Sequence, residues 1–278
     1  LRDNLTFPIV EDNNHNIYLK VSYSLVKYDM HSQVFECIVD DRVTSLSAIN
    51  GEIWFSNSDT IFRWNDEIGK KEIILKTNIP YTINKIYRSS NQTLWIGTSY
   101  GLYRKTNSDL TPVPVVPGKD ISDVFESANG DIWIACRMEG MYRINRNGNI
   151  IEYLHDPHNS NSVASNQVRT FLEDRDGNIW IGTFTGLQKY EPATNRFTLY
   201  TRSKLPGSLS HPSVFSLFMD LQGTIWVGTY YGGVNYFNPE SDIFSYYTDE
   251  PHNDACLSYS FVGGMLEENN GDIWTSTE

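Results

Sequence analysis

One string of residues recurs along the chain. It is clearest at 176–190, which reads DGNIWIGTFTGLQKY, and close copies stand at 91–105, 130–144 and 222–237. The copies keep one order: a turn, a Trp, a Gly and then an aromatic side chain. A chain that repeats such a unit stacks one structural element many times.

The spacing of the Trp residues gives the size of the unit. With a Tyr as a degenerate first member, successive anchors are separated by 36, 41, 38, 47, 46 and 48 residues. The anchors are Tyr18, Trp54, Trp95, Trp133, Trp180, Trp226 and Trp274. Periods of this size indicate a solenoid, an array or a propeller, and the strand content decides between them.

The unit at 168–201 has the strand content of a propeller blade. The segments VRTFLED and IWIGT flank the turn RDGN, and a second turn separates LQKY from RFTLYT. No segment shows a sustained period of 3.6 residues, so no helix of any length is expected. Four short antiparallel strands repeated about every 40–45 residues are typical of β-propeller blades.

The number of units predicts an all-β fold, a seven-bladed β-propeller of four-stranded antiparallel blades. The expected blades span 6–38, 43–75, 83–116, 121–154, 168–201 and 214–248, with a partial seventh at 261–278. The seventh unit is incomplete at the C-terminus, because it stops after its second strand and would leave a sheet edge exposed. We therefore interpret residues 1–278 as a single propeller domain that is a fragment of a longer protein.

Each part of the string has an expected role in folding. The Asp-Gly and Asn-Gly pairs supply the positive φ angles of a tight hairpin. The Trp is large enough to act as a wedge between neighbouring blades. Gly97, Gly182 and Gly228 are expected where adjacent sheets leave no room for a Cβ atom. The string therefore indicates a fold and carries no chemistry by itself.

Composition argues against several classes of partner. The chain has a net charge of −12, which disfavours nucleic acid and anionic membranes because both need clustered Lys and Arg. The sequence contains no apolar run long enough to span a bilayer, and its first residues lack the features of a signal peptide. Cys37, Cys136 and Cys256 form no C-x-x-C pair, and we expect three buried free thiols.

The repeat has the pattern V-x-x-[FL]-x-[ED]-x-x-G-x-[IL]-W-[IV]-G-T-x-x-G-[LV]-x-x-[YF] and resembles the two-component regulator propeller repeat. Segments 153–168, 200–214 and 247–262 are similar to the inter-blade linker of that family, a Tyr-rich outer strand followed by a polar loop. The resemblance covers nearly the whole chain and is strongest from 83 to 278. The first two blades depart from it, and Ser56 stands where the Gly is expected.

This resemblance implies a non-catalytic sensor domain in the periplasm, the extracytoplasmic part of an inner-membrane hybrid two-component regulator. Such regulators are typical of polysaccharide sensing by gut Bacteroidetes, including Bacteroides. In the family, two seven-bladed propellers precede an immunoglobulin-like domain, a transmembrane helix and a cytoplasmic histidine kinase with receiver and DNA-binding parts. This chain would be the first propeller, so nucleic-acid binding and the membrane anchor would belong to the absent remainder. The implied partners are an oligosaccharide, the second propeller and downstream domains of the same chain, and a second copy in a homodimer.

Two other functions are compatible with the residues. One is a propeller lyase or hydrolase resembling streptogramin lyase, and the other is a protein-interaction scaffold. A lyase would need a His acid-base and a metal-binding Glu. His155, His158, His211 and His252 do lie in inter-blade loops, but the two His of HDPHN have no third ligand nearby. Since the sequence shows no nucleophile motif and no phosphate loop, we expect no catalytic residue, no metal and no cofactor.

A ligand is expected at the end of the blades opposite the D-G turns. Loops between second and third strands emerge there beside the inter-blade linkers, and their residues vary from blade to blade. Aromatic, amide and charged side chains suit a sugar and equally suit a protein partner. The candidate ligand-binding residues are Tyr100, Arg137, Glu139, His158, Phe184, His211, Tyr230 and Tyr231. Arg137 is the first choice, because a guanidinium pairs bidentately with a uronate or sulfate.

Overall fold

Every regular element of the chain is a β-strand in the computed structural model. The structure describes residues 6–30, 32–241, 243–249 and 256–277, and within these ranges it contains 26 strands and no helix. The prediction of an all-β chain is therefore confirmed. His252, in the third linker, lies outside the described residues. The chain divides into two compact units, Leu1–Val124 and Phe125–Glu278.

The first unit holds three four-stranded sheets. They are β1 (Thr6–Glu11), β2 (Ile17–Val21), β3 (Ser24–Asp29) and β4 (Val34–Asp40); β5 (Val43–Ile49), β6 (Glu52–Asn57), β7 (Thr60–Asn65) and β8 (Lys70–Lys76); and β9 (Ile83–Arg88), β10 (Leu94–Thr98), β11 (Gly101–Lys105) and β12 (Val113–Pro117). Each strand pairs antiparallel with its sequence neighbours, so each sheet is a meander. This is the form of a propeller blade.

Three further four-stranded sheets and one pair of strands follow. They are β13 (Ile121–Glu126), β14 (Ile132–Cys136), β15 (Met141–Ile144) and β16 (Ile150–Tyr153); β17 (Val168–Glu173), β18 (Ile179–Thr183), β19 (Leu187–Glu191) and β20 (Arg196–Tyr200); β21 (Val214–Met219), β22 (Ile225–Thr229), β23 (Val234–Phe237) and β24 (Ser245–Tyr247); and the pair β25 (Val262–Glu267) and β26 (Ile273–Thr277). The unit boundary falls within β13. The described residues thus form six blades and a two-stranded seventh sheet.

Burial falls from the middle of each sheet to its outer edge. The second strands β10, β14 and β18 are buried at every position, which explains their near-continuous apolar sequence. The fourth strands have a neighbour on one side only and are largely exposed. Cys37 lies on the outermost strand β4 and is exposed, and Cys256 is half-buried. The expectation of three buried thiols is therefore wrong for both, and it holds for Cys136.

The Trp of the second strand packs between successive sheets. Trp133 shares a buried cluster with Phe171 and Phe197 of the fifth sheet. Trp180 shares one with Val214 of the sixth sheet, and both Trp side chains are at most 1% exposed. These two residues are therefore wedges between blades. Of the other anchors, Tyr18, Trp54 and Trp95 are buried, while Trp226 and Trp274 are half-buried.

Gly182 marks a close approach between neighbouring sheets in the second unit. A Cβ atom there would lie 2.7 Å from Thr170 Cγ2 and 2.9 Å from Val214 Cγ1 on the next blade. Ser56 occupies the equivalent position of the second blade, where its hydroxyl is 2.6 Å from that of Ser45. The second blade thus replaces the glycine with a buried hydroxyl pair.

The hairpin between the first and second strands is held by the residue six positions before the Trp. In the fifth blade, Asp174 Oδ2 accepts a hydrogen bond of 2.8 Å from Trp180 Nε1. Its Oδ1 accepts the backbone amides of Asp176 and Asn178 at 3.0 and 2.9 Å. One carboxylate therefore fixes both the turn and the orientation of the indole.

The same bond recurs in other blades with different acceptors. Asp220 accepts the indole of the sixth blade at 2.8 Å, and Ser89 and Ser127 accept those of the third and fourth at 3.1 Å. Even the degenerate first blade keeps it, since the Tyr18 hydroxyl donates to Asp12 Oδ2 at 3.1 Å. The acidic position of the repeat is thus committed to folding.

Candidate functional site

The loop between the second and third strands is closed by the Thr of the W-x-G-T string. Thr183 Oγ1 donates to Gly186 O at 2.8 Å, and Thr229 Oγ1 donates to Gly233 O at 2.9 Å. Each hydroxyl also accepts a backbone amide from inside its loop. The side chain directly after each Thr is left on the outside of a short, fixed loop. We call this end of a blade, with the linker that enters its first strand, the loop end, and the opposite end with the first hairpin the turn end.

Aromatic side chains gather at the loop end of the second unit. The Tyr230 ring lies 4.1 Å from that of Tyr231 and 5.6 Å from that of Phe215, between ring centroids. The His211 ring lies 6.4 Å from Tyr230. The Phe215 ring also packs against the buried ring of Phe261, with 4.9 Å between the ring centroids. Three of these residues, His211, Tyr230 and Tyr231, are among those predicted from the sequence.

Arg169 joins Phe184 to this group. Its guanidinium carbon lies 3.8 Å from the centroid of Phe215 and 5.5 Å from that of Phe184. Nη1 donates to Ser213 Oγ at 2.7 Å and to the Val214 carbonyl at 3.0 Å. We refer to Arg169, Phe184, His211, Phe215, Tyr230 and Tyr231 together as the Arg169 cluster.

The cluster is locally positive. Burial, and then the charge of Arg137, lower the pKa of Arg169 to about 10, so the guanidinium remains charged at neutral pH. Burial, and then the charges of Arg202 and Arg169, lower the pKa of His211. The Ser213 amide donates to His211 Nδ1 at 3.1 Å, so this ring nitrogen acts as an acceptor. The His211 imidazole therefore lies near two cations, Arg169 and Arg202, in a chain whose net charge is −12.

The remaining predicted residues have different surroundings. Arg137 and Glu139 lie on the loop between β14 and β15, and Arg137 is near enough to Arg169 to act on its pKa. His158 is exposed in the linker after β16. Tyr100 belongs to the first unit, where its ring lies 4.9 Å from that of Tyr81.

The linker at 155–167 is tied to the fifth sheet. Asn161 Oδ1 accepts the Phe197 amide at 2.8 Å, and its Nδ2 donates to the Asn195 carbonyl at 3.0 Å. Gln188 Oε1 accepts the Ala164 amide at 2.8 Å. A groove of about 750 Å³ lies between this linker and β20. Much of the polar sequence of the linker is therefore used to fasten it to the sheet.

The first unit has its own depression at its loop end. A cavity of about 960 Å³ is formed by loops between second and third strands together with the linkers that enter β5 and β9. Its lining includes Tyr23, Arg42, Ser58, Asp59 and Tyr81. This cavity holds fewer aromatic rings than the Arg169 cluster and differs from it in carrying a carboxylate.

Metal ligation has little support in the described part of the chain. There, no group of three or more His, Cys, Asp or Glu side chains is arranged to hold a metal ion. In the HDPHN segment, His155 Nδ1 lies 2.8 Å from the Val163 carbonyl, an acceptor to which it donates. Nor do these residues include a helix that is long and apolar enough to cross a membrane.

Sequence reasoning missed Arg169 and Phe215. Both occupy the second position of a first strand, β17 and β21. The equivalent residues in other blades are Thr44, Asn84, Ser122 and Gly263. In the loops, candidate ligand contacts are the positions whose residue type varies from blade to blade. The second position of the first strand varies in the same way, so this variation is the sequence signal for Arg169 and Phe215.

Comparison with known proteins assigns the repeat. Residues 162–185 match the family described as Two component regulator propeller. This segment is therefore similar to the two-component regulator propeller repeat. The matched segment includes the end of a linker, β17 and most of the tight loop after β18. The match confirms, for residues 162–185, the resemblance recognised from the sequence.

Relatives of this repeat protein were found in both sequence and structure. The chain is 30% identical over 171 residues to Histidine kinase P4 of Formosa agariphila, a match covering 54% of this chain and 12% of that protein. The extracellular domain of a putative one-component system from B. thetaiotaomicron superposes with a TM-score of 0.80 at 20% identity, over 99% of this chain and 37% of that one. Streptogramin B lyase superposes with a TM-score of 0.74 at 14% identity, over 99% and 91%. At these identities the structural matches show the propeller fold alone, and the chain spans a minor part of its first relatives.

Proposed function

We propose that the chain is a non-catalytic, extracytoplasmic sensor domain of a hybrid two-component regulator, located in the periplasm, and that it detects oligosaccharides. The observation that carries the proposal is the two-component regulator propeller repeat at 162–185. The likeness to an extracellular domain over 99% of the chain supports it. In the whole protein, a second propeller and a histidine kinase follow on the same chain, and two copies form a homodimer.

The sensor propeller in this proposal has seven blades. The pair β25–β26 supports this, because its register is that of a blade's first two strands. Val262 pairs with Thr277 and Gly264 with Ser276, with an irregularity between them. The sixth blade has the same shift between its first two pairs. The two strands are therefore proposed as the inner half of a seventh blade of the same domain.

The Arg169 cluster is the proposed sugar-binding surface. Phe184, Tyr230 and Tyr231 are 48%, 39% and 54% exposed, which is high for such large side chains. A sugar presents an apolar C–H face that stacks on aromatic rings, while its hydroxyls need donors and acceptors such as tyrosine hydroxyls. The supporting loops are short and fixed by hydrogen bonds, so little ordering would be needed on binding.

Calorimetric titration of the chain with a panel of neutral and acidic oligosaccharides tests this function. We expect binding of at least one class without release of product. Tyr230→Ala and Arg137→Ala should each weaken that binding about tenfold, while Asp176→Ala at the exposed turn end should leave it unchanged. Turnover of any glycan would contradict the non-catalytic assignment. Loss of affinity in Asp176→Ala alone would place the site at the wrong end.

A further inference from the structure

The geometry points to an oxyanion-binding site at Arg169 that accepts the carboxylate or sulfate group of an acidic sugar. The inference rests on the proposed function for the sugar, and on the arrangement around Arg169 for the anion. It narrows the substrate class of the Arg169 cluster from oligosaccharides in general to acidic ones.

Arg169 has one anchored edge and one open edge. Both of its hydrogen bonds leave from Nη1, toward Ser213 Oγ and the Val214 carbonyl. Nε and Nη2 have no hydrogen-bond partner among the described residues. Phe215 lies 3.8 Å beneath the guanidinium and fixes its plane. A guanidinium held this way offers two parallel N–H donors, the geometry that pairs with a carboxylate or sulfate.

The charge of Arg169 is not compensated by the protein. No carboxylate in the described ranges forms an ion pair with it, although the chain carries 34 acidic residues. Two other half-buried arginines do have acids nearby. Arg63 pairs with Glu72 at 2.6 Å, and Arg143 lies 3.8 Å from Asp131. A half-buried cation left without a counter-charge is unfavourable, and an anionic ligand would remove that cost.

The neighbours of Arg169 add to the positive potential and select for a sugar. The charges of Arg137 and Arg202 act on Arg169 and His211, so an anion would be drawn to this spot despite the negative charge of the whole chain. The Phe184 ring centroid lies 5.5 Å from the guanidinium carbon. A free inorganic anion would leave the exposed rings unused, whereas an acidic sugar would use both the charge and the rings.

Arg169 also ties the fifth blade to the sixth, and this structural role needs a matched control. Arg175 makes an equivalent tie at the turn end, where its guanidinium donates to the Leu221 and Gln222 carbonyls. No aromatic ring of the Arg169 cluster lies at that end. Arg175→Gln therefore removes an inter-blade arginine tie without touching the proposed site.

The test is a set of calorimetric titrations with paired probes, one charged and one neutral, built on the same sugar. They are trigalacturonate, its fully methyl-esterified form, galactose 6-sulfate and galactose, and the carboxylate and sulfate pairs distinguish the two sources of the anion. Wild type should bind at least one acidic probe about tenfold or more tighter than its neutral counterpart. Arg169→Gln should lose about tenfold in affinity for the acidic probe and less than about twofold for the neutral one. Arg175→Gln should bind both as wild type does.

The outcomes separate this inference from the proposed function. Equal affinity for charged and neutral probes, or unchanged affinity in Arg169→Gln, would overturn the anion site and leave the sugar sensor standing. Absence of binding to every probe and to the whole oligosaccharide panel would overturn both. If Arg169→Gln fails to fold, Phe215→Leu keeps the charge but removes its support. A several-fold loss for the acidic probe is then expected, and no loss would refute the site.

Discussion

The two ends of the blades in the second unit differ in what is repeated from one blade to the next. At the turn end, Asp174 and Asp220 make the same set of hydrogen bonds to their turns and to their Trp residues. At the loop end, the residues after the second strand differ in every blade: Arg137, Phe184 and Tyr230. Repetition of bonds at one end and variation of side chains at the other indicate that folding constrains the first end and leaves the second free.

The backbone of the loop end is nevertheless held in place by hydrogen bonds. Thr183 and Thr229 each close their loop by donating to a glycine carbonyl, three and four residues further along the chain, so each loop backbone is fixed even though the side chains differ. Backbone amides of Phe184 and Tyr230 also donate to the linker that enters their own blade, at 3.1 and 3.0 Å. Different side chains can therefore be displayed there without disturbing the register of the sheet.

Removal of a wedge should have the largest effect. Trp180→Ala is expected to lower the free energy of unfolding by about 3–5 kcal/mol, because it leaves a cavity between the fifth and sixth blades. Denaturant unfolding followed by circular dichroism measures this. Tyr231→Ala, at an exposed loop position, should cost less than about 1 kcal/mol. Similar losses in the two variants would remove the distinction between folding residues and display residues.

Removal of the turn carboxylate should have the second largest effect on the free energy of unfolding. Asp174→Ala leaves the buried Trp180 Nε1 and two backbone amides without their acceptor, and we expect a loss of about 2–3 kcal/mol. Asp174→Asn keeps an acceptor for the amides and should lose less. Asp176→Ala alters an exposed side chain of the same turn and should change the unfolding free energy by less than about 0.5 kcal/mol. If Asp174→Ala left the free energy of unfolding unchanged, the repeated hydrogen bonds would not be what holds the turn.

The loop-closing hydroxyl should have a smaller effect on stability. Thr183→Val keeps the shape of the side chain but removes the bond to the Gly186 carbonyl, at a cost of about 1–2 kcal/mol. Thr183→Ser keeps the hydroxyl and should stay within about 1 kcal/mol of wild type. If valine were tolerated better than serine, the loop would be held by packing and not by its hydrogen bond.

His211 should give the smallest effect, visible as a pH dependence. Because the folded chain lowers the pKa of His211 through burial and nearby arginines, the unfolded chain binds the proton more tightly. The neutral imidazole therefore contributes stability above about pH 6.5, and this contribution is lost as the pH falls toward the folded pKa. Unfolding free energies measured at pH 7.5 and 5.5 should differ less in His211→Asn than in wild type. An unchanged difference would show that His211 is not desolvated in the cluster.

The repeating parts of the molecule and the loop residues of the Arg169 cluster could be predicted from the sequence, whereas Arg169 and Phe215 could not. The buried second strands and the close approach at Gly182 follow from periodic sequence, because the same residue types meet the same neighbours in each blade. Arg169 depends on Ser213 and Phe215, which lie 44 and 46 residues further along the chain and are unique to one blade. His158 has the residue type expected of a ligand contact, yet it lies exposed in a linker and is not part of the cluster. Contacts between side chains of different blades cannot be recognised from the spacing of residue types in a single sequence.

Hydrogen–deuterium exchange with and without a bound oligosaccharide tests the division between the two ends most directly. We expect slower exchange on binding in the loops at 184–186 and 230–233 and in the linker before β21. Exchange in the turns at 174–178 and 220–224 should be unchanged. Protection confined to those turns would contradict the division between the loop end and the turn end, because it would place the ligand where the side chains are already committed to folding.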